Sequence, residues 1–600
     1  MHDPMFAAGR ALWEAKYRAP QELRINDTWA RVAKTVAAPE HDRERWTASF
    51  EHILEGFHFL PGGRILAGAG LERRVTLLNC FVMGTMRDSL DGIFQALKEG
   101  ALTMQQGGGI GYDFSTLRPR SSHAGASGTV PSGPVSFLHV WDAMAKTVLS
   151  TGLRRGAMIA TLRCDHPDIE EFIAAKSHHG VLTHFNLSVL VTDELVRAVR
   201  EDRMFSLVFP ESSSGGGGGD FVNRRWSGSS AQVPCRIHRQ VRARDLWASI
   251  IRGAYEQGEP GVLFIDRINR ANNLWYTEDI SATNPCGEVP LPPYGACDLG
   301  SINLTRFVVD AFARDARLDE ERLAETARIA TRFLDDVLDV TRFPLEPQAR
   351  RARETRRIGL GVTGLADALV MLGLRYDDPR ARETAARVLR IVCHAAYEES
   401  IELAREKGSF ARFDRTRFLS GEFASTLPAD IRAGIARVGL RNSHLIAIAP
   451  TGSISVLAGG VSTGIEPIYA AKMHRPWSGA SGEGGELVYE DYAVAMYKRI
   501  RGNGVGDPPA LVTMEAVAPE AHVEMQAALQ PFVDNSIAKT VNVPRDFPFA
   551  RFEPLFLLAY DRGLKGCTAF RPNPVTGELL GVAEKCLFCD VEHEPTGEAP

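Results

Sequence analysis

Asn284, Cys286 and Glu288 stand at every second position of the run Ser281 to Leu304, and Cys297 follows Cys286 by eleven residues. An amide that orients, a thiol that reacts and a carboxylate that takes a proton form a catalytic set. The prolines and glycines between 285 and 300 argue against helix and against a central strand, so the spacing predicts a shaped loop. In an extended loop alternate residues face the same way, which would bring the three groups onto one side. Taken singly, each has a plainer reading: an Asn or Glu caps a turn, and a Cys fills a small apolar gap.

The chain as a whole bounds what that set can serve. Its 600 residues exceed one ordinary domain, although a large barrel with appended helices accommodates most of them. With 44% hydrophobic and 24% charged residues the composition is globular. A net charge of -5 gives no reason to expect direct nucleic-acid or membrane binding. No run of eighteen apolar residues and no basic-then-apolar leader pattern is present, so the expected compartment is the cytoplasm. Nine cysteines are too sparse for a disulfide scaffold. Cys164, Cys235, Cys393 and Cys567 show no partner spacing and read as ordinary residues. The tail Glu584 to Asp590 carries Cys586 and Cys589 as Cys-x-x-Cys, half of a zinc site with no second pair, which favours thiol exchange over metal; no metal ligand is assigned.

The elements that must position these groups follow in order. Helices are predicted over Ala8–Tyr17, Thr28–Ala37 and Arg45–Leu54. Pro61 to Gly70 reads as a glycine-rich loop, and Leu77 to Met83 as an apolar strand with Asn79 and Cys80 at its centre. Asp88 is expected to cap a helix whose apolar stripe is Leu90, Ile93, Phe94, Leu97 and Ala101. Gly107 to Gly111 has neither Gly-x-Gly-x-x-Gly spacing nor a Walker lysine, so a close backbone approach to a ligand remains its use. Arg118 to Gly133 and Ser150 to Met158 are polar loops; Arg154 and Arg155 suit phosphate or base contacts, or a solvated basic turn. Val135–Thr147, Leu246–Gln257, Glu320–Val340 and Ala381–Lys407 read as helices, Phe185–Val191 as a core strand and Gly359–Asp367 as a turn. Ser212 to Gly219 reads as a flexible surface insertion. In Ala449 to Val456, Thr451, Ser453 and Ser455 supply hydroxyls, and a helix starting there would offer amides to an anion. Gly563 to Phe570 is expected to include a short strand.

Asn-Pro-Cys-Gly-Glu (284–288) followed by Cys-Asp-Leu-Gly-Ser-Ile-Asn-Leu (297–304) closely resembles the finger loop of ribonucleotide reductases. The Asn79-Cys80 pair and Pro450-Thr451-Gly452-Ser453-Ile454 match further motifs of that family, and the resemblance runs from about residue 50 onward. It implies a ten-stranded α/β barrel of two five-stranded halves with the loop threaded through the centre. Domains expected on this basis are a helical region over 1–55, too short for the family's nucleotide-binding cone, a catalytic barrel over 56–575 with specificity loops near 118–133 and 150–158, and a redox tail over 576–600. The implied roles are Cys286 as thiyl radical, Glu288 as base and Asn284 as orienting amide. Cys80 and Cys297 would be the redox disulfide, and Cys586 and Cys589 the tail pair that reduces it. Asn79, Gly108, Pro450, Thr451, Gly452, Ser453 and Ile454 would bind substrate, with Asp88, Arg154 and Arg155 at an allosteric site. The implied partners are a ribonucleotide, with the diphosphate favoured, dNTP effectors, thioredoxin or a similar reductant, and a second copy in a homodimer.

Members that import a radical from a partner subunit carry paired tyrosines near 563–570, and no adjacent tyrosines occur in this chain. That points to the adenosylcobalamin-dependent, class II type, although no Asp-x-His-x-x-Gly pattern for the corrin is present. Other readings are a class I large subunit, a cysteine-nucleophile hydrolase or acyltransferase lacking a recognisable His near the loop, and a non-enzymatic nucleotide-binding regulator.

Overall fold

The computed structural model describes residues 6–72, 75–120, 132–148, 157–178, 180–211, 220–229, 231–478, 484–502 and 504–573. Arg154, Arg155, Cys586 and Cys589 lie outside the described residues, as do most of the two expected specificity loops and the Ser212 to Gly219 insertion.

Five strands run parallel in the first half: β1 (Cys80–Val82), β2 (Gly109–Asp113), β3 (Met158–Arg163), β4 (Phe185–Val191) and β5 (Gly261–Phe264). A small hairpin of β6 (Ala282–Thr283) and β7 (Pro290–Leu291) follows. The second half holds β8 (Ala296–Asn303), β9 (Ile358–Thr363), β10 (Thr540–Asn542) and β11 (Gly566–Phe570). β8 pairs parallel with β9, and β10 pairs parallel with β11. Parallel bridges from Leu360 to Ile446 and from Ile448 to Ile537 complete the ring between β9 and the segment that leads into β10. The halves meet at two antiparallel seams, β8 against β1 and β11 against β5. With the bridged segment Ile446 to Ile448 in the tenth position, these nine strands close into the expected α/β barrel. Every residue of β3, β4, β8 and β9 is buried, as in parallel sheets covered on both faces.

Alternation along the strands separates two cores. Phe81, Ala296 and Ile302 face outward into the large cluster shared with the helices. Cys80, Val82, Cys297 and Leu299 face inward, in a separate cluster with Ala282, Val289 and Leu291 of the hairpin and Ala447 and Ala449. Burying Val289 and Leu291 fastens the hairpin inside the barrel by about 1.5–3 kcal/mol per side chain. The outer layer includes Ala7–Lys16, Ile25–Val36 and Arg43–Leu54, close to the predicted helices, and Glu320–Val340, where Phe50 and Phe59 both meet Phe333 edge-on. Among the described residues no helix is long and apolar enough to cross a membrane.

Several expectations are corrected. Ala296–Asn303 is a central strand, because Gly300 is where Phe59 packs: a Cβ there would lie 2.4 Å from that ring. Gly359–Asp367 is strand β9 followed by helix Leu365–Met371, with left-handed Gly364 at the junction. Pro61 to Gly70 ends a short strand and forms helix Gly63–Gly68. Helix Leu90–Gln105 is capped by the Ser89 hydroxyl, which accepts from Gly92 N at 3.1 Å. Asp88 instead binds Arg118, at 2.6 Å to the guanidinium Nε and 3.2 Å to the backbone N. The buried face of that helix is Ile93, Ala96 and Gly100, while Leu90 and Phe94 are 67% and 52% exposed.

Candidate active site

The predicted loop is a hairpin whose tip is a tight turn. Asn284 begins it, Pro285 presets φ at the second position, and Gly287 occupies the fourth with φ +84°, the signature of a type I turn leaving a hairpin. Gly287 N donates to the Asn284 carbonyl at 3.0 Å, and Asn284 N to that of Val289 at 3.3 Å. The even-spaced set is therefore not extended: Asn284 and Glu288 flank the base of the turn and Cys286 projects at its tip. Both barrel halves hold it. Thr161 Oγ1 donates to Ser281 O at 2.8 Å, Asn186 Nδ2 to Pro285 O at 3.2 Å, and Ser536 N to Glu288 O at 2.9 Å. Gly111 lets the hairpin pass, since a Cβ there would lie 1.8 Å from Thr283 O.

Asn284, Glu288 and Cys80 meet behind the tip. Asn284 Nδ2 donates to Cys80 Sγ at 3.1 Å, while its Oδ1 accepts from Val289 N at 3.0 Å and Thr283 Oγ1 at 3.1 Å. The amide is thus fixed in one orientation. The Cys80 thiol points at Glu288 Oε1, 3.9 Å away, and Glu288 Oε2 is buried without a hydrogen-bond partner. Burial pushes the Glu288 carboxyl up to about 7, against the lowering effect of Asn284, its own backbone and Cys80. Cys297 is the register partner of Cys80 across the β1–β8 seam; its thiol donates to the Asp298 carbonyl at 3.1 Å and is driven well above its ordinary value by burial.

Two cavities meet at Cys286. The first, about 970 Å³, is lined by Asn79, Cys80, Gly107 to Gly109, Asn284, Glu288 and the segment Ala449 to Ile454. Every expected substrate-side residue therefore borders one space. Helix Gly452–Leu457 begins where its amides can face that space, with Thr451 at φ +55° as the residue before it. The hydroxyls expected there are partly committed elsewhere: Thr451 Oγ1 accepts from Gly464 N at 2.7 Å and pairs with Thr363 Oγ1 at 2.9 Å, and Ser455 Oγ donates to Gly452 O at 2.9 Å. Arg64 and Tyr17 also line the cavity. Sequence singled out neither: Arg64 sits in the glycine-rich stretch Pro61 to Gly70, and nothing in helix Ala7–Lys16 marks its neighbour Tyr17 as reaching the barrel. Asp88 stands apart from this space, beside Arg118.

The second cavity, about 1470 Å³, lies across Cys286 and Gly287 from the first. Tyr469, Met473, Tyr489, Met514 and Phe570 give it broad apolar walls, with Ser462, Thr463, Glu466, Asp491 and Lys539 as polar points. Lys539 is fully buried and held by Glu466, by His522 Nδ1 at 2.6 Å and by Thr540 O at 2.8 Å. Cys567, read from sequence as ordinary, borders this cavity, and burial pushes its thiol up to about 12. A Cβ on Gly287 would meet nothing within 4 Å, so the turn is open there.

Comparison with known proteins agrees with this geometry. Residues 78–570 match the family described as "Ribonucleotide reductase, barrel domain", and residues 7–74 match "Ribonucleotide reductase, all-alpha domain". A "Vitamin B12-dependent ribonucleoside-diphosphate reductase" of Mycobacterium tuberculosis is 38% identical over 595 residues, covering 94% of this chain and 79% of that protein. The protein of the same name from Thermoplasma acidophilum is 35% identical over 558 residues, covering 89% and 66%. A "Ribonucleoside-diphosphate reductase subunit alpha" of Chlamydia muridarum is more distant, 28% identical over 480 residues and covering 74% and 45%. A ring of two parallel half-barrels closed around a cysteine-tipped hairpin, and family matches that together span nearly all the described residues, make this chain a member of the ribonucleotide reductase family.

Proposed function

We propose that this chain reduces ribonucleotides, with the diphosphate as the favoured substrate, to 2′-deoxyribonucleotides by thiyl-radical chemistry at Cys286, and that adenosylcobalamin is its radical source. The observation that carries the reading is that Cys286 is the hairpin residue lining both cavities, with the Cys80 thiol, the Asn284 amide and the Glu288 carboxylate in mutual contact on one side of it.

The second cavity suits a large cofactor with apolar faces: it has about one and a half times the volume of the first, aromatic and thioether walls, and an open face at Gly287. Tyr469, Met473, Tyr489, Met514 and Phe570 would hold it. Adenosylcobalamin, when bound, supplies the one-electron oxidation that leaves Cys286 as a thiyl radical. Phe570 stands in the strand where paired tyrosines would serve a radical imported from another subunit, and it has no phenol to oxidise.

A thiyl at Cys286 takes the 3′ hydrogen atom of a ribose lying in the first cavity. Glu288, its Oε2 uncommitted, accepts the 3′-OH proton, while Asn284 holds the sugar in register. The 2′-OH leaves as water with a proton from the Cys80–Cys297 pair. The pair's second hydrogen goes to C2′ as the pair gives up two electrons in all and closes as a disulfide; Glu288 returns its proton to the 3′ oxygen, and Cys286 returns its hydrogen to C3′. The amides at Gly452 to Ile454 and the Arg64 guanidinium suit the substrate phosphates. Cys586 and Cys589 would then reduce the disulfide by exchange and be recharged by thioredoxin or a similar dithiol donor. Effector binding by Asp88, Arg154 and Arg155 belongs to this reading, as does a homodimer built on the exposed Leu90, Phe94 and Leu102 of helix Leu90–Gln105 beside helix Pro134–Thr147.

The test is an anaerobic assay of the isolated chain on each ribonucleotide with and without adenosylcobalamin. Deoxynucleotide formed only with the cofactor is the expected result, together with its loss in Cys286→Ser while nucleotide binding persists. Turnover that requires a second protein subunit instead would overturn the cofactor assignment.

A further inference from the structure

A recess apart from both cavities lies where the N-terminal helical layer meets helix Tyr492–Arg501. Arg306, Arg322 and His58 line it together with Met371 and the helix face Tyr492, Met496 and Ile500, and no carboxylate lines it. Among the described residues neither Arg306 nor Arg322 forms an ion pair.

Both guanidiniums are nevertheless held in place. Arg306 sits over the rings of Phe6, Phe57 and Tyr492 at 5.9, 5.9 and 5.5 Å, and its Nη1 donates to the Tyr492 hydroxyl at 3.1 Å. Its Nε–H is buried and has no acceptor. Arg322 lies over Phe307 at 5.6 Å and donates through Nη2 to His58 Nε2. His58 in turn donates from Nδ1 to the Glu55 carbonyl at 2.9 Å, which fixes its neutral tautomer. Burial lowers His58 to about 4, against the opposing pull of the Glu55 carbonyl, with Arg322 and Arg306 lowering it further. The nearby acids are occupied: Asp319 caps its own helix at Arg322 N, 3.2 Å away, Asp310 binds Arg317 at 2.7 Å, and Glu490 binds Lys498 at 2.7 Å. Helix Tyr492–Arg501 ends in three basic residues, Lys498, Arg499 and Arg501.

Two positioned guanidiniums with unspent donors, no lining counter-charge and apolar side chains in the same recess form a receptor for an anion with an apolar body. We propose that this recess binds a phosphate ester, its phosphate held by Arg306 and Arg322 and its body laid on Met371, Met496 and Ile500. The site is independent of the chemistry at Cys286.

Titration calorimetry of the full chain with phenyl phosphate and, separately, inorganic phosphate tests it, using wild type, Arg322→Gln and Arg306→Gln. Arg322 is exposed, so its variant leaves the fold intact. Each substitution is expected to weaken binding about tenfold or more, the usual effect of removing a hydrogen bond to a charged group. Phenyl phosphate binding tighter than inorganic phosphate supports an organic ligand; the reverse order, or no binding of either probe, overturns that ligand class. Isotherms unchanged in Arg322→Gln overturn the site.

Discussion

Cys80 and Cys297 are direct register partners across the antiparallel seam of the barrel, and both side chains lie in its inner cluster. Opposed residues of an antiparallel pair have Cα atoms about 4.5–5.5 Å apart. That falls inside the roughly 4.4–6.8 Å span of disulfides, so the two free thiols can bond without moving the strands. Without added reductant, one round of turnover should therefore consume two titratable thiols per chain in wild type. In Cys297→Ser the thiol count should stay constant and deoxynucleotide yield should fall to background, because the pair that supplies the two electrons is gone.

Glu288 predicts a pH limb. Its carboxyl must be ionised to accept a proton, and burial raises it to about 7. Rate should climb as pH rises through about 7 and level off above. Glu288→Gln should lose about 10²–10³-fold, within the range of general base catalysis, and should lack that limb. Stability runs the other way. The folded value lies above the ordinary 4.5, so the folded state holds the proton more tightly. That contribution is complete below about 4.5 and is lost as pH rises through about 7, on the order of 3 kcal/mol at most. Thermal melts of Glu288→Gln should be flatter across that window than those of wild type.

Gly111 tests whether the hairpin is placed by close backbone passage. An alanine Cβ would lie 1.8 Å from the Thr283 carbonyl oxygen. Gly111→Ala should cost about 1–3 kcal/mol of stability through overpacking. Activity should drop about 100-fold, because a shift of about 1 Å in a reacting group is enough for that. Equal activity at a lower melting temperature would mean that the hairpin is positioned from the second half alone.

Phe94 tests the outward face of helix Leu90–Gln105, where it stands 52% exposed beside Leu90 at 67%. Phe94→Asp should halve the mass measured by light scattering at micromolar concentration, with circular dichroism unchanged. A wild-type chain that is already monomeric would remove the dimer from the proposed function.

The tail pair is tested by reductant choice. Cys586→Ser should give about one turnover per chain with thioredoxin and recover multiple turnovers with a small dithiol that reaches the buried pair directly. Equal loss with both reductants would count against a shuttle.

Much of the site was legible because its information is local. Asn284, Cys286, Glu288 and Cys297 lie within fourteen residues, and the apolar strand around Cys80 and the three N-terminal helices follow from period and composition. Glu320–Val340 and Phe185–Val191 form where periodicity placed them. Errors arose where a residue's surroundings outweighed its type. Glycines in β8 and β9 read as turn signals, yet they are small because Phe59, Leu299 and Ala447 pack against them. Asp88 has the chemistry of a cap, but Arg118, thirty residues away, claims it.

From its residues alone the chain determined which groups could react: a thiol between an amide and a carboxylate, further thiols, and no paired tyrosines. Only the tertiary structure decided how they meet. Cys80 and Cys297 are 217 positions apart, and strand register makes them neighbours. Cys286 owes its two-sided exposure to a turn held between half-barrels, and Arg306 and Arg322 share a recess because one packs against Tyr492 and the other against Phe307 and His58. Contacts between segments distant in sequence depend on chain closure and side-chain alternation across the whole ring, which no short run of residues encodes.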